Sequence, residues 1–194
     1  LCLLRYDYFS ASRNGCTALR RIFGGFSNEK GPIFHYLYKE YIYDYATFDI
    51  ETTTIVNAEK PFGYMYHWQM DVAGYVITGR RWSEWLYFME KLSMIYRIND
   101  NRRLVIYVHN LGYEFQYIRD YLEENFGGYN VFATKNRAPI RVNTPNGFEF
   151  RCSYKLTNMS LNKATLNELG VTHIKAVGDL DYKIIRTAVT PLND

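Results

Sequence analysis

The run Leu104-Val105-Ile106-Tyr107-Val108 constrains the fold more than any other stretch of the chain. Five apolar or aromatic residues without polar alternation read as a strand inside a sheet, and such a strand needs cover on its faces. The run breaks at His109-Asn110, and a helical pattern follows from Gly112 to Asn125, closed by Gly127-Gly128. A buried strand that feeds directly into a helix is a unit of α/β architecture.

The neighbouring segments fill in that class. Ala46-Thr47-Phe48-Asp49-Ile50-Glu51 alternates with a period of two and reads as a strand. Gly63–Met70 and Val72–Thr78 are aromatic and β-branched and read as paired strands, with Asp71 between them. Ser83 is the expected N-cap of a helix over Glu84–Arg97, where Trp85, Met89, Leu92 and Tyr96 share a face. Tyr129–Thr134, Ile140–Asn143 and Phe148–Cys152 read as further strands, the last two joined by the turn Thr144-Pro145-Asn146-Gly147. Asn162–Leu169 reads as a short helix before Gly170. The expectation is an α/β fold with a twisted mixed sheet and helices packed on it.

Composition narrows the class by exclusion. The chain has 194 residues, of which 19 are Tyr, 12 Phe and 3 Trp, and a disordered chain is poor in such residues. No stretch approaches ~18 uninterrupted apolar residues, so a membrane span is not expected. Cys2, Cys16 and Cys152 are odd in number and widely spaced, which argues against a disulfide scaffold or zinc ribbon and for a reducing compartment. The start lacks both an initiator Met and the pattern of a signal peptide, so a fragment is expected. The net charge of +3 lies within residues 1–40, rich in Ser, Asn and Gly and without a sustained period; they read as a partly ordered basic leader. Residues 41–194 are electrically balanced and read as the folded body.

Asp49 and Glu51 stand at i and i+2 on one strand, so both carboxylates point to one face, about 6.6 Å apart at the backbone. Side by side they repel, and a hard divalent cation with a preference for oxygen ligands relieves that repulsion. The plainer alternative is a solvent-facing strand end. Glu114 lies in the first turn of the helix after the buried strand, beside the crevice where α/β sheets gather ligands. There Asn110 is either an ordinary cap or, with His109, a donor to phosphate or sugar, and a first-turn acid also suits the helix dipole.

Together these segments resemble a known family. Asp49-Ile50-Glu51-Thr52 resembles the D-x-E-T motif of the 3′→5′ exonuclease domain of family B DNA polymerases. Tyr107-x-His109-Asn110-x-x-Tyr113-Glu114 is similar to their second motif, H-N-x-x-[FY]-D. Gly178-Asp179-Leu180-Asp181-Tyr182 resembles the G-D-[IL]-D-Y segment of the protein-primed, phage-type branch. Order and spacing match over roughly Tyr43 to Asp194.

The resemblance implies a ribonuclease-H-like sheet whose acids, Asp49, Glu51 and Glu114, bind two Mg²⁺ or Mn²⁺ ions. It implies that Thr52, Tyr107, His109, Asn110 and Tyr113 touch a frayed single-stranded DNA 3′ end. Ser153 resembles the Ser of the family's [ST]-L-x-x-h motif, although Tyr154 replaces its Leu; Ser160-Leu161 is a literal alternative. Lys175 and Tyr182 resemble the Lys and Tyr that orient the scissile phosphate, with Lys175 displaced by a residue or two. The implied partners are the remaining polymerase domains and a terminal priming protein, in the cytoplasm of a bacterial host. The alternative function is a module of the same fold that binds single-stranded DNA or another polymerase domain with little or no catalysis.

Two departures stand out. Glu114 takes the place of the family's Asp, one methylene longer. The third motif, Y-x-x-x-D, is expected shortly after Thr190-Pro191, but the residue four before Asp194 is Thr190 and not Tyr, so the chain reads as the front part of a longer polymerase, with Asp179 or Asp181 as the alternative ligand. Outside the motifs, His67 and Trp68 read as packing residues and His173 as a surface residue. The pairs Arg80-Arg81 and Arg102-Arg103 read as solvated helix ends or, alternatively, phosphate contacts.

Overall fold

The computed structural model describes residues 39–56, 60–134, 138–169 and 181–192. Eight strands run in chain order as β1 (Glu40–Tyr41), β2 (Ala46–Ile55), β3 (Phe62–Val72), β4 (Tyr75–Gly79), β5 (Arg102–Val108), β6 (Asn130–Ala133), β7 (Pro139–Asn143) and β8 (Phe148–Cys152). Four helices are α1 (Trp82–Tyr96), α2 (Leu111–Asn125), α3 (Ser153–Thr157) and α4 (Leu161–Leu169). The strands form one mixed sheet in the order β4-β3-β2-β5-β8-β7-β6, with β1 pairing alongside β5. β2, β5 and β8 are mutually parallel, and antiparallel strands extend the sheet on both sides.

Alternation sorts the side chains of that sheet. Phe48, Ile50, Trp68, Met70, Leu104, Ile106, Phe148 and Phe150 are all buried. Their face receives α1 and α2: Phe48 meets Trp85 at 5.6 Å between ring centroids, and Phe148 meets Phe126 at 5.6 Å. The helices join each other through Trp82 and Tyr121, at 5.2 Å. Burial of these aromatic and branched side chains, each contributing about 1.5–3 kcal/mol, is what holds the layers together. β5 occupies the centre of the sheet. Its Leu104, Ile106 and Val108 are fully buried, whereas Val105 and Tyr107 are only half-buried. The strand is therefore covered unequally, because its second face lies among polar neighbours such as Arg151.

Several boundaries differ from expectation for local reasons. The β3–β4 turn is not at Asp71 but at Ala73-Gly74, where both residues have positive φ (52° and 90°). Two positive-φ residues match the twist of the flanking strands. Asp71 instead sits in β3 and accepts a hydrogen bond from the Gly74 N–H at 2.8 Å. α1 begins one residue before Ser83, with Arg81 as the cap. The Glu84 carboxylate accepts from the N–H groups of Arg80 and Arg81, which supplies the capping expected of Ser83. The expected stripe holds: Trp85, Met89 and Leu92 are buried and Tyr96 packs beside them. The helix α3 is not apparent in the sequence pattern. The turn before β8 needs Gly147, which has φ 103° and whose Cβ would collide with the Asn99 carbonyl.

The paired arginines are structural. Arg103 is buried and ion-paired with Asp100, while Arg102 pairs with Glu40 and donates to the Tyr96 carbonyl at 2.8 Å. Arg80 donates to the backbone carbonyls of Tyr66, Thr187 and Thr190. Arg80, Arg102 and Arg103 are thus neither simple solvated ends nor ready phosphate contacts, because carbonyls and carboxylates close in the fold already occupy them. Among the described residues no helix is long and apolar enough to cross a membrane.

Candidate functional site

β2 presents Thr47, Asp49 and Glu51 on the sheet face opposite its buried Phe48 and Ile50. Asp49 is opposite Gln69 in the register with β3, and the Gln69 amide donates to its carboxylate at 3.1 Å. Glu51 is opposite His67, and the pairing shifts just beyond, between Glu51 and Thr52. Such a bulge re-aims the side chains around it. Tyr107 of β5 pairs with Thr47 and with Arg151 of β8, and so belongs to this polar face.

α2 carries the third acid. Glu114 is buried, only 4% exposed, and its Oε2 has no hydrogen-bond partner among the described residues. Burial pushes its carboxyl up to about 7, and the nearby Asp49 carboxylate acts in the same direction. The fold has therefore brought the acids of β2 and α2 within electrostatic reach. Asn110 before the helix has left-handed backbone (φ 67°) and its side chain makes no capping bond. Its role is thus not that of an ordinary N-cap, and the residue is exposed.

Two other groups of motif residues meet. The Thr52 hydroxyl is hydrogen-bonded to Tyr113, whose hydroxyl reaches that of Tyr117 at 3.5 Å. His109 Nδ1 lies 3.1 Å from Ser153 Oγ and its ring stands edge-on to Tyr154. Ser160, the literal alternative to Ser153, instead caps α4 through the Lys163 N–H at 3.4 Å.

Tyr182 hydrogen-bonds Glu51. The charge of Glu51 is the chief cause of its raised pKa, with burial and Asp49 adding to it. Lys175 and the Gly178–Leu180 part of the third segment lie outside the described residues, as does His173.

Sequence reasoning missed several contributors. Gln69 and His67 face the acids only through strand register, which a misplaced β3–β4 turn obscures. The His67 pKa is lowered by burial and by Arg80, against the pull of Asp49, so the ring is neutral at pH 7. Tyr66 and Arg186 are both buried beside this corner. Tyr117, one turn after Tyr113, was legible as an i,i+4 neighbour.

Chemically, the acids offer oxygen donors of the kind a hard divalent cation prefers, and Glu114 Oε2 is buried without a hydrogen-bond partner among the described residues. Among the described residues no group of three His, Cys, Asp or Glu is gathered tightly enough to form a complete metal cage. Compared with family models, curated proteins and solved structures, the chain matches none.

Proposed function

We propose that the chain is the 3′→5′ exonuclease portion of a protein-primed, phage-type family B DNA polymerase, built on a ribonuclease-H-like sheet. The observation that carries the reading is the approach of Asp49 to Glu114, two acids from separate motifs, with the buried Glu114 carboxyl raised to about 7. The Glu51–Tyr182 and Thr52–Tyr113 bonds support it, since each joins residues of different motifs.

In this reading Asp49, Glu51 and Glu114 hold Mg²⁺ or Mn²⁺. Two such ions, when bound, activate a water and stabilise the leaving 3′ oxygen. The chain's own residues place the substrate. Tyr113 gives an exposed ring for stacking on an unpaired base, worth about 1–3 kcal/mol without regard to sequence. Thr52 fixes that ring through its hydroxyl, while Asn110, Tyr107 and the His109–Ser153 pair line the approach of the strand. Tyr182 stands at Glu51, where its hydroxyl can donate to a phosphate oxygen. The remaining polymerase domains and a terminal priming protein are the partners this reading implies.

The test is incubation of 5′-labelled single-stranded DNA and Mn²⁺ with the chain extended through a Tyr-x-x-x-Asp segment. Shortening from the 3′ end, lost in Asp49→Asn, is the expected result. In parallel, Mn²⁺ at a hundredfold excess over its Kd stabilises the wild type by about 2.7 kcal/mol and leaves Asp49→Asn unmoved. DNA binding without hydrolysis or metal stabilisation would point instead to a module that only holds single strands.

A further inference from the structure

Beside the Thr52–Tyr113–Tyr117 chain of hydroxyls lies a cleft of about 340 Å³ between β3, the start of α1 and the middle of α2. Its walls include Tyr64, Trp82, Tyr117 and Tyr121, and Arg81 stands among its lining residues. None of the residues lining it is acidic. The volume is at the small end of ligand sites, where room exists for one ring system with its sugar.

Each wall is fixed by its contacts with neighbouring elements. Trp82 and Tyr121 lie 5.2 Å apart at a shallow 32°, braced by the edge of Trp85. Tyr117 runs against β3 at Gly63, where a Cβ would collide with its hydroxyl; the glycine gives the ring its place. The same tyrosine bonds Tyr113. It is therefore a shared wall between the motif residues and the cleft. Arg81 has a side chain 60% exposed and stands at the rim, ion-paired with the part-exposed Glu84 at 4.0 Å, a surface pair that a phosphate can replace.

We propose that this cleft receives an unpaired nucleobase of the single strand, one step along from the base held at Tyr113. The inference rests on the exonuclease reading for its ligand class. Aromatic walls stack on any base, and a cation beside them pairs with the adjoining phosphate; the combination is what a sequence-tolerant single-strand path requires. Arg81, Trp82 and Tyr121 thereby become binding residues that none of the three motifs contains.

The experiment uses the whole chain in EDTA with fluorescein-labelled oligothymidylate, followed by anisotropy and by tryptophan emission. Trp68 and Trp85 are buried at 2% and 0% exposure, so quenching by DNA reports on Trp82. The expected results are a loss of affinity of about 5- to 150-fold in Tyr121→Ala, full retention in Tyr121→Phe, and loss of quenching in Trp82→Phe. Arg81→Ala, at an exposed position that leaves the fold intact, weakens binding and flattens its salt dependence. Wild-type affinity in Tyr121→Ala and Arg81→Ala, alongside loss in Tyr113→Ala, overturns the cleft and leaves the exonuclease reading standing. No binding of oligothymidylate by the wild type overturns both.

Discussion

Burial and the Asp49 carboxylate act on Glu114 in the same direction, so an acid from the first turn of α2 keeps its proton up to about pH 7 beside an acid from β2. Two like charges held this close in a partly dry site are stable only when one is protonated or a cation lies between them. The relationship makes the corner pH-sensitive and metal-sensitive at once.

The pH dependence has a definite sign. Glu114 ionises near 4.5 as a free side chain and near 7 in the fold. A raised pKa favours folding fully below the lower value, and that contribution is lost as pH rises through the upper one. In EDTA, stability should therefore fall between about pH 4.5 and pH 7 by roughly 2–3 kcal/mol. Glu114→Gln should abolish that fall and exceed the wild type in stability above pH 7. Urea midpoints measured across this range check it, and parallel profiles for the two proteins would contradict it.

Asp49→Asn removes the lesser of the two causes that raise the Glu114 pKa, which a backbone hydrogen bond opposes. The Glu114 pKa should drop but stay well above 4.5, because burial is the larger cause. Carboxyl carbon shifts followed by NMR through a pH titration give the value directly. Asp49 is itself exposed, so the folded state should persist with a midpoint change within about 0.5 kcal/mol.

Arg80 fastens the segment that carries Tyr182. Its guanidinium donates to Thr187 and Thr190 carbonyls at 2.7 Å each and to the Tyr66 carbonyl. Arg80→Ala should cost about 2–4 kcal/mol, since each charge-assisted bond contributes about 1.5–3 kcal/mol and the losses overlap. The sharper readout is Tyr182: once released from Glu51, its pKa should return toward the ordinary tyrosine value. Ring-carbon NMR titration detects this, together with faster amide exchange over residues 181–192.

Trp85 is the pivot between β2, α1 and the end of α2, touching Phe48, Trp82 and Phe126. Trp85→Ala should cost about 3–5 kcal/mol. Trp85→Phe should cost under about 1.5 kcal/mol, because it also removes a buried indole N–H that has no hydrogen-bond partner among the described residues. Denaturant midpoints for the pair test the difference.

Much of this arrangement is written in local pattern. The alternation through Phe48 and Ile50, the apolar run at Leu104–Val108 and the helical face of Trp85, Met89 and Leu92 each fix which side of an element is buried. Spacing likewise put Asp49 and Glu51 on one strand face. Period and side-chain chemistry act over a few residues, so these features are legible without the fold. The β3–β4 turn was less so, because Ala73-Gly74 lacks the usual Asn or Asp and the nearby Asp71 imitates one.

What only the tertiary structure decided is which distant groups share a dielectric. Sequence placed Glu114 in a first helical turn, where an exposed acid would simply favour the helix dipole. The parallel pairing of β2 with β5, followed by α2 folding back on the sheet, buried that carboxyl within the electrostatic influence of Asp49. The same pairing joined Thr52 to Tyr113, and the parallel pairing of β5 with β8 joined His109 to Ser153. Other tertiary contacts turned Arg80 and Arg102 from apparent surface charges into ties between segments and buried Arg103 against Asp100. Desolvation and through-space charge depend on distance in the fold, not along the chain. The polar residue types at Asp49 and Glu114 were therefore set by sequence, and their coupling by packing.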